Sequence, residues 1–152
     1  MTPILYNANE RDFDHNGIGA LSGCVSATAI WSRNGEMELE LVYPMDGIHF
    51  DEIKLRRIIL AAPDQQSRAQ PYRVYDISKP LDGLVTVYAR HVAYDLMGIV
   101  DQPYTAASVT AALNGLRTNA VTDCPFDFWT DKDTVAKMEV SVPTSAWELL
   151  GG

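Results

Sequence analysis

A hairpin pattern in the first third of the chain constrains its fold more than any other feature. Residues 27–32 are typical of a strand, and the Asn34-Gly35 pair that follows favours a tight turn because both residues tolerate positive φ. Residues 36–41 then alternate strictly between acidic and apolar side chains, which predicts a strand that is half-buried in a sheet with a wet outer face. The apolar face of that strand would carry Met37, Leu39 and Leu41.

Further short apolar runs, each bounded by turn residues, predict strands at 57–62, 71–78 and 84–91. An Asp82-Gly83 pair separates the last two runs and is a second hairpin signal. The long helices that connect parallel strands are missing from this region. We therefore predict a mainly β (α+β) chain, with a small antiparallel β-barrel-like or sandwich domain and short helices.

The pattern changes near residue 100, which predicts a barrel-like domain at 1–100 and a second segment, a helix plus a β-hairpin, at 101–152. Apolar residues at helical spacing predict a helix over 105–118, with Thr105 as its N-cap. This is the one long helix that the sequence supports.

The rest of the second segment is predicted to return to strands, at 125–129 and 135–142, with a turn at 131–133 between them. Ser145 and Glu148 then have the spacing of a capping box, which predicts the start of another short helix.

Charge and hydropathy exclude two classes of protein. Twenty acidic residues against twelve basic ones give a net charge of −8, whereas a duplex-binding surface carries a basic excess. The N-terminus has neither the basic segment nor the apolar segment of a secretory signal, and no apolar run is long enough to span a membrane. We expect no specific nucleic-acid binding and no membrane insertion.

Two loop patterns partly match ligand-binding motifs. Residues 12–17 fit the first half of a calcium loop, but the twelfth position is Gly23 instead of a bidentate glutamate. Residues 17–23 are rich in glycine like a dinucleotide-binding loop, but the third glycine is one place late and no βαβ unit surrounds it. We interpret the first as a solvated turn and the second as a place where the backbone turns or is closely approached. The oxygen donors of the half-loop are Asp12, Asp14 and Asn16.

Residue types that serve in catalysis are scattered along the chain. His15, His49 and His91 have no metal-like spacing, and a cysteine nucleophile would need Cys24 or Cys124 to be brought beside His91 by the fold. Two buried free thiols are the simpler interpretation, and a long-range disulfide is the alternative. We assign no catalytic, cofactor-binding or metal-binding residue, and we predict that the chain is not an enzyme.

Two charged clusters are also candidates for a function. Four aspartates around a single lysine, Lys132, would suit a cation site or a hydrolase carboxylate pair, but we interpret them as solvated loop and strand-edge charges that help solubility. Lys54, Arg56 and Arg57 are too few for a nucleic-acid groove, so we expect them to pair with the glutamates of 36–40 or with an acidic surface of a partner. The aspartates are Asp123, Asp127, Asp131 and Asp133.

An ordered series of segments along essentially the whole chain resembles the N-terminal region of the phage minor structural protein family. These are the tail-associated hub proteins of phages and prophages of Gram-positive bacteria, also described as prophage endopeptidase tail proteins. No segment is a catalytic motif, and it is the order of the series that is specific. The matching segments are 3–10, 33–36, 38–40, 43–44, 47–54, 71–75, 78–83, 85–89, 123–126 and 149–152.

The resemblance implies a fold like the baseplate hub and a homotrimer at the phage tail tip, within the virion. There the family joins the tail tube and distal tail proteins to receptor-binding or wall-degrading parts. Family members continue well past the segment at 149–152, so we expect this chain to be truncated at 152 and its second segment to open a second hub region. Any peptidase or lysozyme activity would belong to later regions, so no catalytic residue is carried over.

Two alternatives to a tail hub remain open. A glycan- or receptor-binding adhesion module would gather exposed aromatic rings in a shallow groove, and a tail-borne cell-wall peptidase would assemble a Cys–His or His–Asp site in a cleft. A hub could in addition use the acidic face of Glu36, Glu38 and Glu40 to let DNA pass through the tail without adsorption. The aromatic candidates are Trp31, Tyr72, Tyr104 and Trp129.

Overall fold

The computed structural model describes residues 1–32, 35–63, 67–132 and 134–152. Its contacts divide the chain into two compact units, which we call unit 1 (Met1–Val92) and unit 2 (Ala93–Gly152). The division falls earlier than the boundary predicted at residue 100, because Leu96 already packs in the core of unit 2.

Unit 1 is a seven-stranded antiparallel sheet that curls into a half-barrel, which confirms the predicted fold class. The strands are β1 (Ile4–Tyr6), β2 (Gly19–Ala20), β3 (Ser26–Trp31), β4 (Met37–Pro44), β5 (Ile58–Ala61), β6 (Gln70–Ile77) and β7 (Leu84–His91). Their order across the sheet is β2-β1-β5-β6-β7-β4-β3. A short 3₁₀ helix, Phe50–Glu52, lies between β4 and β5.

Both predicted hairpins are present in unit 1. β3 and β4 pair antiparallel, although the turn predicted at 33–35 lies partly outside the described residues. Between β6 and β7, Asp82 has φ 51° and Gly83 has φ 77°. Leu81 and Leu84 exchange two backbone hydrogen bonds of 2.9 Å across these residues. Two central residues with positive φ define the tight primed turn that suits the twist of a hairpin.

The alternation of acidic and apolar residues along β4 corresponds to alternating exposed and buried side chains in the structure. Leu39 and Leu41 of β4 are buried in the core of unit 1, while the glutamates beside them are exposed or half-buried. Val87 of β7 lies opposite Leu41, and Val85 lies opposite Tyr43 on the same buried side of the sheet. Burying side chains of this size contributes about 1.5–3 kcal/mol each, so this side of the sheet fixes the register of the central strands.

The described residues of unit 2 form two small antiparallel sheets and two α-helices, which follow a 3₁₀ helix at Val92–Gly98. The elements are β8 (Val100–Asp101), β9 (Tyr104–Ser108), α1 (Val109–Thr118), β10 (Val135–Val140), β11 (Thr144–Ser145) and α2 (Ala146–Leu149). β9 pairs with β10, β8 pairs with β11, and a buried cluster that includes Leu116 and Cys124 forms the core.

The first helix of unit 2 starts later than predicted. Thr105 is not its N-cap but lies in β9, where it pairs with Glu139 of β10. Ser108 is the N-cap, and its side-chain oxygen accepts a hydrogen bond of 3.2 Å from the backbone N–H of Ala111. Pairing with β10 outweighs the helix propensity of the alanine-rich segment before Ser108, because a tertiary ladder overrides a weak local preference.

The hairpin predicted between residues 125–129 and 135–142 of unit 2 is also wrong. Residues 125–129 form no strand, and β10 pairs with β9 instead. At the end of the chain, Ser145 caps α2 as predicted, accepting a hydrogen bond of 3.3 Å from the backbone N–H of Glu148. No helix within the described residues is long and apolar enough to cross a membrane.

Candidate interaction surface

The loop at 12–17 uses its polar groups to hold its own turns. The Asp12 carboxylate accepts a hydrogen bond of 2.9 Å from the backbone N–H of Asp14, and the Gly17 N–H donates to Nδ1 of His15 over the same distance. The Tyr6 hydroxyl donates to the carbonyls of Phe13 and His15. Within the described ranges no group of three or more His, Cys, Asp or Glu side chains lies close enough to hold a metal ion.

The glycines that follow this loop allow close packing. Gly17 has φ 57°, and a Cβ atom there would lie 2.5 Å from the carbonyl oxygen of Leu5. At Gly19 a Cβ atom would lie 2.1 Å from Nε2 of His49. Neighbouring atoms can lie this close to Gly17 and Gly19 only because glycine has no side chain, which agrees with the predicted close backbone contacts.

Neither cysteine is placed as a nucleophile. Both are free thiols, and Cys124 is buried as predicted, whereas Cys24 is only half-buried. The Cys24 thiol donates to the Ser26 carbonyl over 3.1 Å, and burial raises its pKa. A reactive cysteine needs the opposite shift, because the thiolate is the nucleophile.

The histidines occupy three different settings, each with a local structural role. His15 lies 3.3 Å from the Glu10 carboxylate, and His49 packs against the backbone at Gly19. Nε2 of His91 is 3.1 Å from Oε1 of Gln70, and the His91 ring packs edge-on against Trp31.

Some residues of the two charged clusters form local ion pairs. Arg57 contacts the Glu52 carboxylate, and this hydrogen bond and the positive charge lower the pKa of Glu52. The pairing of Arg57 with the glutamates of 36–40 that we predicted is therefore wrong. Among the aspartates, Asp127 contacts Arg117, Asp131 lies 3.5 Å from Lys132, and Asp133 falls outside the described residues.

The four aromatic candidates do not share one kind of environment. Tyr72 is fully buried in the core of unit 1. Tyr104 packs on Gly115 and donates a hydrogen bond of 3.0 Å to the carbonyl of Ala112. Trp31 of unit 1 and Trp129 of unit 2 are 50% and 83% exposed. The burial of Tyr72 removes it from the groove that an adhesion module would need, and Tyr104 is half-buried.

Sequence reasoning missed Asp101, the one charged side chain that is fully buried among the described residues. Neither of its carboxylate oxygens has a hydrogen-bond partner there. Burial raises the pKa of Asp101, because a charged carboxylate is disfavoured away from water. Nothing in the local sequence distinguishes this aspartate from the solvated ones.

The open edge of the large sheet is the clearest candidate interaction surface. β3 ends the sheet of unit 1, carries no charged residue, and has five of its six residues exposed. Ile30 and Trp31 are large apolar side chains at this edge. An exposed apolar edge strand is a template for pairing with another chain.

No model of a protein family matches this chain, and no curated protein matches its sequence. A solved structure does match: the crystal structure of the prophage tail protein gp18 from Listeria monocytogenes EGD-e, at 1.70 Å resolution. The similarity has a TM-score of 0.69 at 15% sequence identity and covers 99% of this chain and 44% of gp18. The chain thus spans less than half the length of gp18, and both of its units share the fold of that prophage tail protein.

Proposed function

We propose that this chain is part of a structural protein of a phage or prophage tail. The observation that carries the proposal is the fold similarity to a prophage tail protein over 99% of the chain. The series of sequence segments that resembles tail-associated hub proteins supports the same role from independent information. Within the tail we assign the chain to the hub at the tip of the virion.

A hub acts through its shape, and the sheet of unit 1 suits that purpose. Every neighbouring strand pair in unit 1 is antiparallel and hydrogen-bonded, so the half-barrel is a stiff wall. In this role the longer protein forms a homotrimer that joins the tail tube and distal tail proteins to receptor-binding or wall-degrading parts. The chain itself supports these parts and does not act as an enzyme.

Labelling of intact particles tests the proposal. Antibodies raised against this chain and coupled to gold should bind at the tail tip of phage particles induced from the source bacterium. Native mass spectrometry of detached tail tips should then find three copies of the protein. Gold on the capsid, or particles that lack the protein, would refute the tail role, and a copy number other than three would refute the trimer alone.

The acidic face formed by Glu36 and by Glu38 and Glu40 of β4 gives the hub proposal a second test. Glu36 and Glu40 are exposed, and Glu38 is half-buried with its carboxylate 3.3 Å from the Tyr75 hydroxyl. If this face lines the path of DNA, replacing Glu36 and Glu40 with lysine should increase the DNA retained by assembled tails at low salt. Unchanged retention would remove this part of the proposal.

A further inference from the structure

A cluster of aromatic and polar side chains lies at one end of the half-barrel in unit 1. Trp31 ends β3, Gln70 begins β6 and His91 ends β7, so antiparallel pairing brings all three to the same end of the sheet. The His91 ring packs edge-on against both Trp31 and Tyr72, with 5.7 Å between ring centroids in each pair. Nε2 of His91 is 3.1 Å from Oε1 of Gln70. These contacts hold the Trp31 ring and the Gln70 amide in place in the free protein.

A cavity of about 390 Å³ opens beside this cluster. Its volume lies within the range of small-molecule binding sites, and the mouths of β-barrels are a common place for such sites. The Trp31 side chain is 50% exposed, so part of its indole ring is accessible to a ligand. The described lining residues all belong to unit 1 and are Trp31, Pro63, Ser67, Arg68 and Gln70.

The mixture of residue types in the lining indicates a polar ligand that has one apolar face. Trp31 provides a wide apolar surface, whereas Ser67, Arg68 and Gln70 carry hydroxyl, guanidinium and amide groups. Sites for apolar ligands are instead lined mostly by hydrophobic side chains. A sugar ring matches this mixture, because its C–H groups pack on the electron-rich face of an aromatic ring and its hydroxyl groups hydrogen-bond to polar side chains.

The charge of the lining favours an anionic ligand. Arg68 is exposed and has no ion-pair or hydrogen-bond partner among the described residues, and the described lining contains no acidic side chain. The guanidinium fork matches the two oxygens of a carboxylate or phosphate, and such charged hydrogen bonds are about twice as strong as neutral ones. Charges that lie more than about 8 Å away are largely screened at physiological ionic strength. The net charge of −8 therefore weakens this contact less than its size suggests.

We propose that this cavity binds an acidic saccharide. One sugar ring lies against the Trp31 indole, and a carboxylate or phosphate of the saccharide accepts hydrogen bonds from the Arg68 guanidinium. The Gln70 amide, which His91 holds in place, contacts the hydroxyl groups of the ring. This binding site goes beyond the structural role proposed above and does not depend on it.

Saturation-transfer difference NMR on the full chain tests the proposal. The probes are cellobiuronic acid, digalacturonic acid, sialyllactose and maltose phosphate, each compared with its neutral counterpart. At least one acidic probe should bind with a dissociation constant on the order of 1 mM, and at least about fivefold more tightly than its neutral counterpart. The proposal is overturned if no probe binds up to about 20 mM, or if both members of every pair bind equally.

Adenosine monophosphate distinguishes a saccharide from other ligands that combine a flat ring with an anionic group. Its base can stack on an aromatic side chain, and its phosphate suits Arg68 as well as a sugar phosphate does. We expect it to bind more weakly than the best acidic saccharide, because a base offers fewer hydroxyl groups to Ser67 and Gln70 than a second sugar ring does. Equal or tighter binding of the nucleotide would overturn the saccharide assignment.

Trp31→Ala removes the proposed stacking surface and should raise the dissociation constant of the best acidic probe at least about fivefold. Trp129→Ala is the matched control, because Trp129 is 83% exposed and lies in unit 2, outside the lining. It should leave the dissociation constant unchanged. An unchanged constant for Trp31→Ala, or an equal rise for Trp129→Ala, would contradict binding at this cavity.

Arg68→Gln gives a second variant in case the loss of Trp31 disturbs the sheet, since the exposed Arg68 side chain makes no contact that holds the fold of the described residues. It should reduce the affinity for the acidic probe to that for the neutral counterpart, which itself should not change. Lys79→Gln is the control, because it removes an exposed positive charge elsewhere in unit 1. A variant Arg68→Gln that is folded by circular dichroism and keeps the full preference for the acidic probe overturns the proposal.

Discussion

Replacing Asp101 with asparagine should stabilise unit 2 at neutral and alkaline pH. The side chain is fully buried, and neither carboxylate oxygen has a partner among the described residues. Burial raises the pKa of Asp101 in the folded unit above that of the unfolded chain, which is about 3.9. The folded unit therefore retains a proton that the unfolded chain releases. This contribution to stability is complete below the unfolded pKa and is lost as pH rises through the folded pKa.

The magnitude follows from the charge, because asparagine leaves the same hydrogen-bond partners missing but cannot ionise. A buried polar group without a hydrogen bond costs about 1–3 kcal/mol, and a charged group costs more. Asparagine has the same shape and cannot ionise, so Asp101→Asn should raise the free energy of unfolding of unit 2 by about 1–3 kcal/mol at about pH 8. The gain should fall toward zero below about pH 4, where the aspartate is protonated in both states.

Urea unfolding followed by tryptophan fluorescence measures this difference. In a Trp31→Phe background, the remaining Trp129 and Trp147 both report on unit 2. Asp131→Asn is the control, because Asp131 is exposed and its loss should change stability by less than about 0.5 kcal/mol. A destabilised Asp101→Asn variant at pH 8, or a gain that is the same at both pH values, would show that the reasoning about the buried carboxyl is wrong.

Three further predictions, one with a matched control, test the packing and the backbone conformation. Gly115→Ala would place a Cβ atom 2.2 Å from the Tyr104 ring, so thermal unfolding should show that the free energy of unfolding of unit 2 falls by about 1–3 kcal/mol. Gly98→Ala is the control, because a Cβ atom there meets open space, and it should leave the stability almost unchanged. Gly83→Ala keeps open space but forces alanine to φ 77°, and chemical unfolding should show a loss of about 1 kcal/mol. Leu41→Ala empties a fully buried site and should cost unit 1 about 2–5 kcal/mol in the same assay, and a loss below 1 kcal/mol would contradict the packing described for β4.

The sheet of unit 1 was predictable because its signals are local. Alternation in β4 reports which side of the strand is buried, and the Asp82-Gly83 pair specifies a turn through its own backbone preferences. These features act over a few residues, so they can be recognised without knowing which strands become neighbours.

Features that depend on distant partners were not predictable. The start of α1 at Val109 is set by the pairing of β9 with β10, which lies beyond the helix in the sequence. Residues 125–129 have the composition of a strand but have no ladder partner. In both cases tertiary contacts override a local preference.

The candidate surface was only partly visible in the sequence. Residues 27–32 were recognised as a strand, but a hairpin strand can lie inside a sheet or at its edge. Only the strand order shows that β3 has no neighbouring strand on its outer side among the described residues. The burial of Asp101 is likewise a property of the assembled unit, since a lone aspartate beside Gln102 is typical of a loop.

The strand order of unit 1 also determines when the unit can fold during synthesis. β7 lies between β6 and β4 and is therefore the strand that connects the two halves of the sheet, although it is made last. Glu38 cannot pair with Arg90 until β7 has been synthesised, and β1 cannot pair with β5 until β5 has been synthesised. Such long-range pairing is slow and leaves strand edges exposed meanwhile. The nascent chain can complete this half-barrel only after His91 has emerged from the ribosome, so the first ninety residues depend on protection from premature association.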